Sequence, residues 1–247
     1  MLLCVSQIAD ASQSPLLAAA SSLRSVWPAL TQQFTEDTGQ SAPAASFGSS
    51  GLLSTQIING APFELFLSAD QLSVARLPEQ ALAAPARLYA LGALQLVVPE
   101  RSPLAQSLTM TTLADALANT DAGSPLRLAI PNTMHAPYGK AAREALEHAG
   151  IWPVPAGQLL AAENAAQSLQ FVKTGAAGAA IVPQALVHND TEGLVSVAVP
   201  ANTYSPVEHV IAILGPATEQ AKLFSSWLVS NQSHKVLENA GLQIPHR

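Results

Sequence analysis

Cysteine is almost missing from this chain. Cys4 is the single one in 247 residues, so no disulfide can close within it, although a chain without disulfides can still be exported. Charge is scarce as well. Asp, Glu, Lys and Arg together make up 11%, against about 25% in an average soluble protein. The formal balance is −6 with a pI near 5.4, and the few Lys and Arg are scattered. A nucleic-acid partner needs a basic face to neutralise its phosphates, which excludes that class. Aromatic residues are 5%, and much of the 49% hydrophobic content is alanine. No apolar run reaches the roughly 20 residues that span a bilayer. Walker and G-x-G-x-x-G motifs are missing, as are internal repeats and any Gly/Ser-rich or Pro-rich linker. The histidines, His135, His148, His188, His209, His234 and His246, show no metal-ligand spacing with another His, a Cys or an acid. Each reads as a surface or satisfied histidine, with His135 the most interesting because its loop opens a helix.

What is present is an alternation of strands and helices. Strands are predicted at Pro15–Ala20, Ala42–Phe47, Phe63–Ser68, Leu94–Val98, Leu126–Ile130, Ala179–Val182, Leu194–Val199 and Val207–Leu214, from short apolar or alternating runs bounded by Pro and Gly. Between them lie helical patterns. One runs from Ser21-Ser22 to Thr38, with Leu23, Val26, Trp27, Leu30 and Phe34 at spacings of three and four. Pro28 inside it must either kink the helix or confine its regular part to later residues. Others are predicted at Leu52–Asn59, after a cap at Ser68-Ala69-Asp70, over Leu113–Leu117, from Pro137 to Gly150, from Asn164 to Gly175, and at Ala217–Val229 and His234–Asn239. Residues 71–93 give a mixed signal. The alternation predicts an α/β fold with mostly parallel sheets. At this length it is one large domain or two lobes of about 100–150 residues each. Without a linker, two lobes require the chain to cross between them more than once, with the C-terminal helices returning to the first. The apolar start Met1–Ala11 contains a small-x-small pattern but no positive region and no full apolar core. It reads as a shortened leader or a lead-in.

The chemistry concentrates in Phe47-Gly48-Ser49-Ser50-Gly51-Leu52-Leu53, where two hydroxyls sit between two glycines as a strand turns into a helix. Such a turn offers hydroxyls and free backbone N–H groups together, a receptor for an anion. Three other turns share this character: Ser21-Ser22, Tyr138-Gly139 after Pro137, and Glu163-Asn164-Ala165. In open α/β sheets, ligands lie outside the carboxyl ends of strands, where these turns cluster. Each is also an ordinary helix cap, but the paired serines exceed what a cap needs. Catalysis is poorly served. Gly48-Ser49-Ser50-Gly51 is not G-x-S-x-G, and no base or orienter is assigned to either serine. Asp70 reads as a cap before it reads as a catalytic acid.

Several segments resemble the periplasmic molybdate-binding proteins of ABC importers, which are type II substrate-binding proteins. They are Ala18–Leu23, Ser46–Leu52, Gln56–Asp70, Ala136–Ala142, Glu163-Asn164 and Gly178–Pro183, in the family's order across most of residues 16–245. Gly48–Asp70 is the most specific. The resemblance implies a two-lobed clamshell, each lobe a mixed, mostly parallel sheet flanked by helices. It places lobe I at residues 15–90 and 205–247, lobe II at 91–204, and a leader remnant or lead-in at 1–14. It also implies a monomeric, exported, periplasmic protein that is not an enzyme. That protein carries no cofactor, binds molybdate or tungstate between its lobes, delivers it to an ABC membrane permease and contacts no nucleic acid. Molybdenum is held only as the oxyanion, without direct protein ligands to a cation. The implied ligand residues are Ser21, Ser22, Ser49, Ser50, Tyr138, Asn164 and Ala165, with Ser50 the favoured side-chain donor and Ala165 giving its backbone N–H. Some members carry Tyr where this chain has Pro183, which throws the phenol's role onto Tyr138. Two alternatives keep other classes open: a receptor or sensor for another oxyanion or a small organic anion, and an enzyme on the same scaffold.

Overall fold

The computed structural model describes residues 16–119, 125–188 and 191–245. The expectations for residues 1–14, Cys4, Pro15 and His246 lie outside them. Ten strands form two five-stranded sheets. The first is built from β1 (Leu16–Ala20), β2 (Ala44–Gly48), β3 (Leu65–Ser68), β4 (Arg87–Gly92) and β10 (Val207–Ile213), in the order β2-β1-β3-β10-β4. The second takes β5 (Leu94–Pro99), β6 (Leu128–Pro131), β7 (Leu159–Ala162), β8 (Ala179–Pro183) and β9 (Leu194–Ala198), in the order β7-β6-β8-β5-β9. The two orders match position for position. In each, three strands run parallel and the fourth position is antiparallel to both neighbours. A central strand buried on both faces needs an uninterrupted apolar run. Leu16-Leu-Ala-Ala-Ala20 and Leu65-Phe-Leu-Ser68 supply one each, and residues 17–20 and 65–68 are all buried.

Helices cover both faces of both sheets. α1 (Trp27–Thr38), α8 (Glu219–Leu228) and α9 (Asn231–Glu238) pack one face of the first sheet, where Leu17, Leu23, Leu30, Phe34, Phe224, Trp227 and Leu237 form one core. α2 (Ser50–Ile58) and α3 (Gln71–Ala75) cover the other through Leu53, Val74 and Phe66. The second sheet lies between α4 (Met110–Ala118) with α5 (Pro137–His148) and α6 (Ala165–Lys173) with α7 (Gln184–Val187). This is an α/β fold of two mixed sheets, as the alternation of elements led one to expect.

All eight strands expected within the described residues are present, and so is each expected helix, with ends moved by a few residues. The clearest change is at Ser21. No α-helix starts there. Ser21–Leu23 is a single 3-10 turn and α1 begins at Trp27, with Pro28 in its first turn. Proline suits that position because its missing N–H would have no partner there. Gly39, at φ +69°, ends α1 in the left-handed region that favours glycine. Two strands were not expected. β4 and β5 are separated by Ala93 alone, yet belong to different sheets. Residues 71–93 carry a mixed signal in the sequence, so of these two strands β5 alone was expected. β7 is four residues of Leu and Ala, with no β-branched residue to mark it. The connection from β4 to β5 and that from β9 to β10 carry the chain between sheets. β10 and α8–α9 thus complete the first sheet after the second is built.

Candidate functional site

The carboxyl ends of β1, β2, β3, β6 and β7 converge on one tight pocket of about 10 Å³. Its walls are Ala20–Ser22, Gly48–Ser50, Ala69, Ala136–Tyr138 and Ala165. No charged side chain is among them. Larger grooves exist, such as one of about 570 Å³ between α1, α7 and α9. That groove is lined by Gln32, Gln33, Glu36 and Lys235, a mixture of amides and opposite charges.

The hydroxyls are held in a particular way. Ser50, the first residue of α2, does not cap its helix; its Oγ accepts the Ala69 N–H at 3.0 Å. Ser21 Oγ accepts the Ala165 N–H at 3.1 Å, across from the second sheet. A hydroxyl whose oxygen already accepts an N–H keeps its own hydrogen for another acceptor. Ser22 is fully buried, and although its hydroxyl lies close enough to Tyr138 to act on that phenol, its Oγ makes no hydrogen bond of adequate geometry among the described residues. A buried hydroxyl left in that state is costly unless something else fills it. Ser49 precedes α2 but makes no side-chain cap. Its Oγ instead lies 2.8 Å from His135 Nδ1. The Gly51 N–H, one of those that α2 cannot satisfy internally, donates to the His135 carbonyl at 2.9 Å. A Cβ on Gly51 would stand 2.7 Å from that carbonyl, so only glycine permits this approach.

Tyr138 enters from the first turn of α5 and is buried. Its hydroxyl is 2.8 Å from Nε2 of His209 on β10, whose Nδ1 lies 3.3 Å from the Tyr89 hydroxyl. Gly92 makes room: a Cβ there would overlap the Tyr138 hydroxyl and come within 3.2 Å of His209 Nε2. Burial lowers the His209 pKa to about 3, so the ring is neutral. Burial raises the Tyr138 pKa and the nearby Tyr204 adds to this, while the Ser22 hydroxyl beside it offsets part. Burial raises Tyr89 likewise, with Tyr138 adding to it. His135 is shifted downward by burial, opposed by the charge of Glu163.

Of the residues singled out in the sequence, Ser21, Ser22, Ser49, Ser50, Tyr138 and Ala165 line the pocket. Asn164 does not. It caps α6, its side chain accepting the Gln167 N–H at 3.2 Å. Asp70 caps α3 by accepting the Ser73 N–H at 2.8 Å. Pro183 ends β8 outside the pocket. Sequence reasoning missed Ala69, His209, Tyr89 and Gly92. The signal at His209 was a lone polar residue at an inward position of the apolar run Val207–Leu214. Ser49 and His135 have the separation of a nucleophile and base, but a triad needs a third group bonded to the other ring nitrogen. Among the described residues none is bonded there. No three His, Cys, Asp or Glu side chains among the described residues gather to hold a metal ion.

The family described as bacterial extracellular solute-binding protein matches residues 15–243. The molybdate-binding protein ModA of Rhodobacter capsulatus is 31% identical over 217 residues, 84% of this chain and 79% of that protein. ModA of Azotobacter vinelandii is 30% identical over 247 residues, 98% of this chain and 92% of that one. The solved structure of the Azotobacter vinelandii periplasmic molybdate-binding protein superposes with a TM-score of 0.79 at 27% identity, covering 94% of this chain and all of the other.

Proposed function

Because this chain belongs to the bacterial extracellular solute-binding proteins, among the ModA molybdate-binding proteins, we propose that it binds molybdate, and tungstate with it, and hands the ion to an ABC permease. The observation that carries this reading is the pocket's lining of neutral hydrogen-bond donors with no charged side chain. Molybdate and tungstate are fully deprotonated near neutral pH, so every oxygen only accepts. A site of donors alone suits them. Phosphate keeps a proton and would require a carboxylate acceptor, which the lining lacks. Neutral dipoles also avoid burying an unpaired Lys or Arg when the ion has left. Sulfate offers the same hydrogen-bonding pattern in a smaller ion, so size must separate it; molybdate and tungstate are nearly equal in size and both should bind.

In this reading Ser21, Ser22, Ser49, Ser50 and Tyr138 present hydroxyls to the ion, and the Asn164-Ala165 turn closes the site. The first sheet with its helices makes one lobe and the second sheet with its helices the other, the boundary at Ala93 rather than after residue 90, hinged at the two strand crossings with the ion between. The protein works in the periplasm as a monomer. The ModA relatives carry their oxyanion without chemistry, in keeping with a serine pocket that lacks a triad.

Isothermal titration calorimetry of the purified protein with molybdate, tungstate, sulfate and phosphate is the test. Molybdate and tungstate should bind at about micromolar Kd or tighter, and phosphate should not. The Ser50→Ala variant should lose about 1–3 kcal/mol, one charge-assisted hydrogen bond. If neither group VI oxyanion binds in that range, the reading is wrong.

A further inference from the structure

The buried trio Tyr89, His209 and Tyr138 is not explained by packing alone. His209 stands inside the apolar strand β10 and reaches from the first sheet to the Tyr138 hydroxyl brought by α5 of the second. Gly92 is bare at the one place where any side chain would block this approach. A neutral imidazole has one N–H and one bare nitrogen, and the two arrangements differ in what Tyr138 can offer the pocket.

With hydrogen on Nδ1, the ring donates to the Tyr89 oxygen and accepts the Tyr138 O–H at Nε2. The Tyr89 hydrogen is then stranded, since among the described residues its hydroxyl meets no other partner. Tyr138 turns bare lone pairs toward the pocket. With hydrogen on Nε2, every group is used. Tyr89 donates to Nδ1 at 3.3 Å, Nε2–H donates to the Tyr138 oxygen at 2.8 Å, and the Tyr138 hydrogen is free of the imidazole, available to the pocket that Tyr138 lines beside Ser22. Two of the four pocket serines obey the same rule, Ser21 and Ser50 each accepting an N–H on its oxygen.

We propose that His209 is a positioning and specificity residue: through Nε2–H it fixes Tyr138 as a donor toward the bound anion, so that the pocket prefers an ion whose oxygens all accept. The inference rests on the oxyanion-binding reading above. The ring stays neutral down to about pH 3, so this orientation does not switch off at physiological pH. The phenol is equally un-ionised there, because burial raises its pKa.

The tautomer is read first, by long-range proton–nitrogen NMR of His209 in the wild-type protein, free and with sodium molybdate. Hydrogen on Nε2 in both states is expected; hydrogen on Nδ1 overturns the proposal whatever the protein binds. Calorimetry with molybdate follows. His209→Leu should weaken binding about tenfold, and Tyr138→Phe by at least as much, the range for one charge-assisted hydrogen bond. His209→Gln, whose amide can still donate to Tyr138, should restore most of the loss. His209→Leu added to Tyr138→Phe should cost nothing more, because the residue it acts through is gone. Full additivity, or a Tyr138→Phe variant that binds as wild type, overturns the role of His209 while leaving the molybdate reading intact. A wild type that ignores molybdate removes that reading itself.

Discussion

A hydroxyl both donates and accepts, so its part in a site is decided by what already rests on its oxygen. That rule sorts the residues here better than residue type does. Ser50 and Ser21 hold amide hydrogens on their oxygens and have O–H hydrogens to give, whereas Ser49 faces a histidine nitrogen and Asn164 is occupied as a cap. The same accounting makes His209 a liability in acid. Its ordinary pKa of 6.5 falls to about 3 in the buried site. Below pH 6.5 the unfolded chain therefore takes up a proton that native His209 refuses. The stability is complete above 6.5 and is lost as pH falls toward 3, at up to about 1.4 kcal/mol per pH unit. Urea unfolding of wild type and His209→Gln between pH 7 and pH 4 should show a shallower decline in the variant. Equal slopes would mean that His209 is not held neutral.

At the scale of elements, most of the architecture was legible because its signals are local. Leu65-Phe-Leu and Leu94-Gln-Leu-Val-Val can hardly be anything but strands, and Gly39 and Gly150 mark helix ends through their left-handed backbone. β4 was missed within the mixed residues 71–93 because what sets it apart from β5 is its assignment to a different sheet, a tertiary fact. Pairing of Gly92 with Val207 and of Leu94 with Pro183 decides it, and both partners lie more than eighty residues away. The hydroxyl-bearing turns were legible for the same local reason as the strands. His209, Tyr89 and Gly92 were not, since each owes its role to a neighbour distant in sequence. Gly51 shows how an element can be shaped by such a neighbour. Inside an isolated helix, Gly→Ala should stabilise by about 0.5–1 kcal/mol. Here the new methyl would press on the His135 carbonyl from the other sheet. If the lobes part in the free protein, as the hinge reading above requires, Gly51→Ala should leave its melting temperature unchanged or raised, yet weaken molybdate binding by about 1–3 kcal/mol, the usual cost of overpacking. Calorimetry beside a melting curve separates the two effects, and an unaltered affinity would place the contact outside the binding-competent arrangement.

For the whole molecule, the telling feature is that two sheets share one strand order without any detectable repeat in sequence. Each sheet takes its layered helices and its own cores from its own stretch of chain, except that β10, α8 and α9 come back to finish the first. The pocket draws on both: Ser21, Ser50 and Ala69 from the first sheet's strand ends, Tyr138 and Ala165 from the second's. An anion seated there adds to the contacts that already join the two units, and binding to the native arrangement alone adds RT ln(1 + [L]/Kd) to its stability, about 2.7 kcal/mol at a hundredfold excess over Kd. A protein of this size shifts its melting temperature by roughly 2–4 °C per kcal/mol. Sodium molybdate at that excess should thus raise the melting temperature by about 5–11 °C, in one cooperative transition if the ion couples the two units. At the same concentration Ser50→Ala should show a smaller rise. A rise equal in the variant and the wild type would point to the salt acting on the surface rather than an ion held by these donors.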